Sequence, residues 1–230
     1  MKLPPAKNFE ASCKSVITID GPVASGKTSV SRDLAKALGW NWVSTGAFYR
    51  GLSYVANQEQ MDLSDHLALA KLATSTIWSV QMEIEDTKVI YRNEDVSLDI
   101  KKERVGATAS QISVYPEVRS ALLKAQRDCA LASVVANGLV AEGRDCGSVV
   151  FPDASAKFYL TARSESRAER RALERNESVQ KVEAQQATRD ANDQQRAVAP
   201  LQVPDGAIIV DTSEISLAEV VATILRHLKR

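Results

Sequence analysis

A motif near the start of the chain has the residue types and spacing of a phosphate-binding loop. Residues 21–28 read G-P-V-A-S-G-K-T and fit the pattern G-x-x-x-x-G-K-[ST]. This spacing turns backbone N–H groups inward around a phosphate, while Lys27 can reach the β- and γ-phosphates and Thr28 can hold Mg²⁺. The predicted ATP-binding residues are Gly21, Pro22, Val23, Ala24, Ser25, Gly26, Lys27, Thr28 and Ser29. The motif predicts a nucleoside triphosphate with Mg²⁺ but does not identify what receives the phosphate.

Transfer of a phosphoryl group to a second phosphate requires arginine rather than a general base. The acceptor oxygen is already an anion at neutral pH, and a planar guanidinium group can pair with two phosphate oxygens at once. Four arginines are candidates for this role, and we predict that they lie at turns, where function concentrates: Arg50, Arg144, Arg189 and Arg196. Arg144 is favoured, because it directly follows an apolar run and α/β proteins bind ligands at the carboxyl ends of strands.

The elements that would position these residues alternate between strands and helices. Ser15–Asp20 is predicted to be a buried strand and Lys27–Leu38 a helix that ends at Gly39, so the motif joins a strand to a helix. Further strands are predicted at Leu139–Glu142, Lys157–Leu160 and Ala207–Val210. Further helices are predicted at Glu117–Val135, opened by Pro116, and up to about His227, with a capping box of Ser216 and Glu219. This order predicts an α/β fold with a parallel sheet.

Two stretches interrupt the alternation. Ser79–Glu85 and Lys88–Tyr91 are predicted to pair around a turn at Asp86-Thr87, which makes a small antiparallel insert. Arg163–Arg196 carries eight basic and seven acidic residues. We interpret this second stretch as exposed helices with few anchors, and we therefore expect it to be mobile.

Composition excludes several classes of protein. Lys and Arg together number 29, as do Asp and Glu, so the chain lacks the basic excess typical of a general nucleic-acid binder. No apolar run approaches the roughly 18–20 residues that span a bilayer. The three cysteines are far apart, which fits free thiols in a reducing cytosol. We therefore expect a cytoplasmic protein, a monomer with small-molecule partners and neither nucleic acid nor membrane as a partner.

Five motifs occur in an order that resembles the bacterial cytidylate kinases of the nucleoside monophosphate kinase superfamily. They are G-P-x-x-S-G-K, T-G-A-x-Y-R, A-S-Q-I-S-x-x-P-x-V-R, E-G-R-D-x-G-x-V-V-F-P-D-A and R-D-x-x-D-x-x-R-A-V-A-P-L. The resemblance runs from about residue 15 to residue 230 and implies transfer of phosphate from ATP to CMP or dCMP with Mg²⁺. It also implies a single domain built as a three-layer α/β sandwich. The implied parts are a tail (1–14), a parallel-sheet core (about 15–45, 104–162 and 197–230), a monophosphate-binding part with the insert (about 46–103) and a helical lid (about 163–196).

The resemblance also implies roles for individual residues. Lys27, Arg144 and Arg189 are expected to be catalytic, and Arg189 is expected to reach the transferring phosphate when the lid shuts. The implied contacts to the acceptor phosphate are Arg50, Arg144 and Arg196; those to cytosine are Ser110, Arg119 and Asp145; those to the sugar are Arg189 and Asp193; and Thr45 completes the substrate-binding set. Cytosine has an amino donor at N4 and acceptors at N3 and O2. A carboxylate or hydroxyl with an arginine therefore fits cytosine and mismatches uracil.

Some departures and alternatives stay open. Ala24 stands where many relatives have a second loop glycine, Ser44 replaces a frequent aspartate, and Asn192 replaces a frequent arginine. A GTPase is disfavoured, because the chain has no Asn-Lys dipeptide and no D-x-x-G. A broader UMP/CMP kinase, a shikimate- or gluconate-type kinase, and a nucleotide-binding regulator without transferase activity remain as alternatives.

Overall fold

The computed structural model describes residues 15–83, 85–133 and 136–229, and the predicted tail over residues 1–14 lies outside these ranges. The strands in chain order are β1 (Val16–Asp20), β2 (Asn41–Ser44), β3 (Trp78–Met82), β4 (Thr87–Tyr91), β5 (Glu94–Asp95), β6 (Leu139–Gly143), β7 (Ala156–Thr161) and β8 (Ile208–Asp211). The helices are α1 (Lys27–Leu38), α2 (Gly46–Gln58), α3 (His66–Ala73), α4 (Ser97–Ile100), α5 (Glu103–Ile112), α6 (Pro116–Ala132), α7 (Ser164–Arg175), α8 (Val179–Gln195) and α9 (Leu217–Leu228). A short π-helical turn, Cys146–Val150, follows β6.

A parallel sheet of five strands forms the centre of the fold, in the order β2-β6-β1-β7-β8. All five residues of β1 are buried, as expected for a strand that has neighbours on both sides and helices on both faces. At the carboxyl end of β1, Asp20 is in register with Gly143 of β6 and Tyr159 of β7. These strand ends therefore meet at one edge, which is where such sheets bind ligands.

Two hydrophobic clusters lie on opposite faces of this sheet. Ile17 and Ile19 of β1 pack with residues of α1 and α9, including Leu34 and Ile224. The alternate residue Val16 belongs to a second cluster, which includes α2, α6 and the small sheet. Successive strand residues point to opposite faces, so the two clusters make two helical layers around one sheet. The predicted α/β class with a parallel core is confirmed.

The antiparallel insert is present, with boundaries that differ from the predicted ones. β3, β4 and β5 form a separate three-stranded sheet, and β5 has no counterpart in the prediction. The first strand ends at Met82 rather than at Glu85, and residue 84 lies outside the described residues. Thr87 was predicted in the turn but pairs with Met82 in the ladder. The turn therefore lies earlier in the chain than predicted, and the Glu83 N–H donates to the carbonyl of Asp86 at 3.0 Å.

Helix ends follow the local signals closely. α1 spans the predicted residues, and Gly39 ends it with a φ of 66°. The Ser216–Glu219 capping box is present at the start of α9. α6 begins at Pro116 and ends at Ala132, whereas the predicted end at Val135 lies outside the described residues. Within the described residues, no helix combines the length and apolar character needed to cross a membrane.

Candidate active site

The phosphate loop connects β1 to α1 at the carboxyl edge of the sheet. Gly21 has a φ of 149°, and a Cβ atom there would lie 2.1 Å from the carbonyl oxygen of Leu160, so the position accepts only glycine. Gly26 caps α1 with a φ of 86°. Ala24 also adopts a left-handed conformation, with a φ of 58°. This conformation costs an L-residue about 1–2 kcal/mol and is readily adopted by glycine. Alanine at position 24 therefore carries backbone strain that the glycine of many relatives avoids.

Lys27, the first residue of α1, turns its side chain into the loop. Its side-chain nitrogen donates to the carbonyl of Pro22 at 2.5 Å and to Ser25 Oγ at 3.3 Å. It forms no ion pair with a carboxylate among the described residues. Burial, followed by the positive charge of Arg144, lowers the pKa of Lys27 from 10.5 to about 7. The loop therefore contains a lysine that is only partly protonated, and a bound anion would favour its charged form.

Thr28 faces a buried acidic residue at the end of β6. Its hydroxyl donates to Glu142 Oε1 at 3.2 Å. Glu142 is 4% exposed, and its backbone carbonyl accepts a hydrogen bond from the Thr45 hydroxyl at 2.9 Å. Thr45 is itself buried and lies 3.4 Å from the sulfur of Cys146. Thr28 and Glu142 thus offer hard oxygen ligands of the kind that Mg²⁺ prefers.

Asp20 links the end of β1 to the turn that follows β6. Its two carboxylate oxygens accept from the backbone N–H groups of Cys146 and Gly147 at 2.8 and 2.7 Å. Burial raises the pKa of Asp20 from 3.8 to about 6, although these two hydrogen bonds oppose the rise. Asp20 therefore fixes the backbone immediately after Asp145.

A buried ion pair lies beside the cleft. Arg119 donates through Nη2 to Asp145, and both side chains are less than a tenth exposed. Arg119 also donates to the carbonyl of Ser113 at 3.2 Å, and its guanidinium carbon lies 5.6 Å from the ring centroid of Tyr49. The guanidinium group is held on three sides. Such a rigid donor with a carboxylate beside it is suited to reading a polar base edge.

Arg144 and Arg196 converge on Asp193 in the lid. Arg144 Nε lies 2.6 Å from Asp193 Oδ2, and Arg196 Nη1 lies 3.8 Å from Asp193 Oδ1. Burial alone would lower the pKa of Arg144, but the carboxylate of Asp193 outweighs it and the pKa is raised. Burial lowers the pKa of Arg196, whose Nη2 atom has no hydrogen-bond partner among the described residues. A buried unpaired donor of this kind is suited to an anion.

Arg50 and Arg189 approach the same point on α5. A Cβ atom on Gly106 would lie 2.7 Å from Arg50 Nη2 and 2.9 Å from Arg189 Nη2. Arg50 also donates to the carbonyl of Ile100 at 2.8 Å, and Arg189 donates to Glu103. Two cations from distant parts of the chain therefore share one wall of the cleft.

The lid also contacts the phosphate loop directly. Asp190 accepts a hydrogen bond from the Val23 N–H at 3.1 Å and pairs with Arg167 at 2.5 Å. Arg167 in turn donates to the Val23 carbonyl at 2.9 Å. An ion pair between α7 and α8 thus holds both polar groups of one loop residue, so the position of the lid depends on the conformation of the loop.

These groups surround one cleft of about 680 Å³ between the loop, α2, α5 and the lid. Of the predicted site residues, those that do not line it are Gly21, Pro22, Ser25 and Arg119. The first three belong to the phosphate loop, and Arg119 is paired with Asp145, which does line the cleft. The structure therefore brings Arg50, Arg144, Arg189 and Arg196 into the cleft that Lys27 lines.

Comparison with known proteins identifies the family. A family model described as cytidylate kinase matches residues 17–230. The chain belongs to the cytidylate kinase family. It is 54% identical over 214 residues to a cytidylate kinase of Bdellovibrio bacteriovorus, which covers 93% of this chain and 97% of the relative. It is 43% identical over 224 residues to a cytidylate kinase of Pseudomonas aeruginosa, with 94% and 95% covered. A gluconokinase structure from Sinorhizobium meliloti aligns with a TM-score of 0.44 at 16% identity over 94% of this chain and 92% of that chain, a likeness too low to bear on the substrate.

The resemblance stated from the motifs is thus confirmed, while two expectations about the site are wrong. Arg50 and Arg189 lie within helices α2 and α8 rather than at turns. Helical residues can reach the cleft here because the side chains are long and both helices border it. The lid was expected to have few anchors, but Arg167 and Asp190 form a largely buried pair, and Glu103 pairs with residues of both lid helices.

Three acidic residues that support the site in this member of the cytidylate kinase family were not predicted from the sequence. Asp20 ends β1 and Glu142 is the penultimate residue of β6, and that placement at a carboxyl edge was an available signal. Glu103 gives no such signal, because it begins an ordinary helix. Its role depends on lid residues that follow it by more than 70 positions.

Proposed function

We propose that this chain transfers the γ-phosphate of ATP to CMP or dCMP and releases ADP and CDP or dCDP. A phosphate oxygen of the acceptor forms a bond to the γ-phosphorus, and the bond from that phosphorus to the β–γ bridging oxygen breaks. Membership of the cytidylate kinase family supports this reaction. The observation that carries the proposal is that Arg50, Arg144 and Arg196 line the same cleft as Lys27, with a buried donor of Arg196 that has no hydrogen-bond partner in the described parts of the chain.

In this proposal the donor triphosphate occupies residues 21–29. Backbone N–H groups and Lys27 bind its phosphates. Thr28 and Glu142 would hold Mg²⁺, which supplies charge neutralisation on the triphosphate when bound. Asp20 keeps the neighbouring turn in place through its two backbone hydrogen bonds.

The acceptor occupies the opposite half of the cleft. Arg50, Arg144 and Arg196 bind the CMP phosphate, and Arg189 and Asp193 bind the sugar. Asp145 or Ser110 accepts from the cytosine amino group, and Arg119 donates to N3 and O2. Thr45 lines this half of the cleft, and its hydroxyl donates a hydrogen bond to the Glu142 carbonyl.

The domain division is part of the same proposal. Residues 46–103 form the acceptor-binding part and residues 163–196 the lid, on a single domain. The enzyme is proposed to act as a cytoplasmic monomer without nucleic-acid partners. The balance of 29 basic and 29 acidic residues supports the last of these points. Light scattering of the purified protein gives its molar mass and so tests whether it is a monomer.

A coupled assay for ADP release tests the reaction. With ATP and Mg²⁺, CMP and dCMP should support turnover. The kcat/KM for CMP should exceed that for UMP by about 100-fold, because uracil would place a hydrogen-bond acceptor opposite a buried acceptor of the protein. Lys27→Met serves as the matched inactive control. Better turnover with UMP or AMP would refute the cytosine assignment. ADP release that no nucleoside monophosphate stimulates would refute the proposed function altogether.

A further inference from the structure

One carboxylate lies among three arginines where the lid meets α5. Glu103 Oε1 accepts a hydrogen bond from Arg189 of α8, and Glu103 Oε2 forms an ion pair with Arg175 of α7. The third arginine is Arg50, whose Nη2 reaches the same surface of Gly106 as Arg189. Glu103 thus joins α5 to both lid helices through a single acidic side chain, and Arg50 brings α2 to the same place.

This cluster carries an excess of positive charge. Three guanidinium groups face one carboxylate, and the side chains of Arg175 and Arg189 are only 17% and 13% exposed. Burial and then the charge of Arg189 lower the pKa of Arg50 to about 10. Partial burial disfavours the charge of Glu103, but Arg189 and Arg175 outweigh it and the pKa of Glu103 is lowered. Glu103 is therefore ionised at neutral pH, when the arginines need a counter-charge.

We propose that Glu103 is a positioning residue that holds Arg189 beside Arg50 and ties both lid helices to α5. Without its charge, Arg189, Arg175 and Arg50 repel one another, and the lid helices move away from the cleft. This inference rests on the proposed function, because it assumes that Arg50 binds the acceptor phosphate and that Arg189 approaches the transferring phosphate. A guanidinium group has enough donors to hold Glu103 on one side and a phosphate on another.

The test is Glu103→Gln, which keeps the shape of the side chain and removes its charge. We expect kcat to fall about tenfold, because Arg189 is no longer oriented in the transition state. The KM for CMP should change less than kcat, because removing a negative charge from the arginine cluster favours anion binding and offsets part of the lost contact between Arg189 and the sugar. The ligand-free lid should also be cleaved faster by protease. Glu169→Gln, an equal charge change on the exposed face of α7, is the matched control and should behave as the wild type.

A second variant separates counter-charge from simple structural support. In Glu103→Gln/Arg175→Gln the original net charge of the cluster is restored, so kcat should return to within about threefold of the wild type. Glu103→Asp keeps the charge on a shorter side chain and should have a kcat between those of the wild type and Glu103→Gln. The inference is overturned if Glu103→Gln leaves kcat unchanged, if it raises the KM for CMP by more than it lowers kcat, or if the double variant is no better than the single. A wild-type chain inactive with CMP would instead refute the proposed function, so the two failures are distinguishable.

Discussion

We expect the binding of MgATP to be coupled to the uptake of a proton by Lys27. The side chain is 5% exposed, and burial together with Arg144 lowers its pKa to about 7 in the ligand-free protein. A triphosphate beside Nζ favours the charged form and returns the pKa towards its ordinary value. The nucleotide therefore restores the charge of the lysine that binds it.

The size of this uptake follows from the pKa of about 7. At pH 8 roughly nine-tenths of Lys27 is neutral before binding and almost all is charged afterwards, so about 0.9 proton enters per ATP. At pH 6 most of the lysine is already charged, and the uptake falls to about 0.1 proton. The uptake must therefore increase as the pH rises from 6 to 8.

Isothermal titration calorimetry measures this quantity. The binding enthalpy at pH 8, recorded in buffers with different ionisation enthalpies, gives the number of protons as a slope. The nucleotide itself is fully ionised at pH 8, because the second phosphate ionisation lies near pH 6. An uptake below about 0.2 proton at pH 8, or one that does not change between pH 6 and 8, would refute the reasoning about Lys27.

The same reasoning sets the stability of Lys27→Met. The folded pKa lies about 3.5 units below 10.5, so burying this lysine costs about 4–5 kcal/mol at pH 7, and the cost disappears as the pH rises towards 10.5. Loss of the bond to the Pro22 carbonyl costs about 1–3 kcal/mol in return. Urea denaturation at pH 7 should therefore show the variant to be about 1–4 kcal/mol more stable, with its transferase activity lost. A variant less stable than the wild type would contradict this account.

Two further predictions concern the acceptor side and the turn after β6. Arg119→Ala should raise the KM for CMP more than it lowers kcat, and it should cost about 3–5 kcal/mol in urea denaturation because Asp145 is left charged and buried. Adding Asp145→Asn should recover the stability but not the KM, and recovery of both would argue against base reading by this pair. Because burial raises the folded pKa of Asp20 from 3.8 to about 6, the wild type binds more protons folded than unfolded, and its free energy of unfolding falls by about 2 kcal/mol between pH 4 and 7. The stability advantage of Asp20→Asn over the wild type in urea denaturation should therefore be about 2 kcal/mol larger at pH 7 than at pH 4, and equal differences at both values would exclude the titration of Asp20 as the cause.

Features within one strand, turn or helix could be predicted from the sequence. The segment from β1 to α1 was predicted to within a residue at its start, because the apolar run, the glycines and the helical spacing are all local signals. The capping box of Ser216 and Glu219 joins residues three positions apart, and it was predicted for the same reason. The fold class followed from the alternation of such segments, and the family followed from the order of the motifs.

Local signals were weaker where an element is held by its neighbours. β5 has only two residues and exists because β4 lies beside it. Arg50 was expected at a turn, because the adjacent sequence contains no signal that α2 begins at Gly46. The helix is stabilised by packing against the core, through residues such as Phe48 and Leu52.

The sequence by itself determined that a glycine loop after a buried strand would bind phosphate and that arginines would be needed opposite it. Only the tertiary structure decided which acidic group faces each basic one. Arg189 meets Glu103 across 86 positions, and Arg144 meets Asp193 across 49. The physical reason is that residue types and short spacings fix local conformation, whereas charge pairing over such separations depends on how the sheet and the lid fold back on each other.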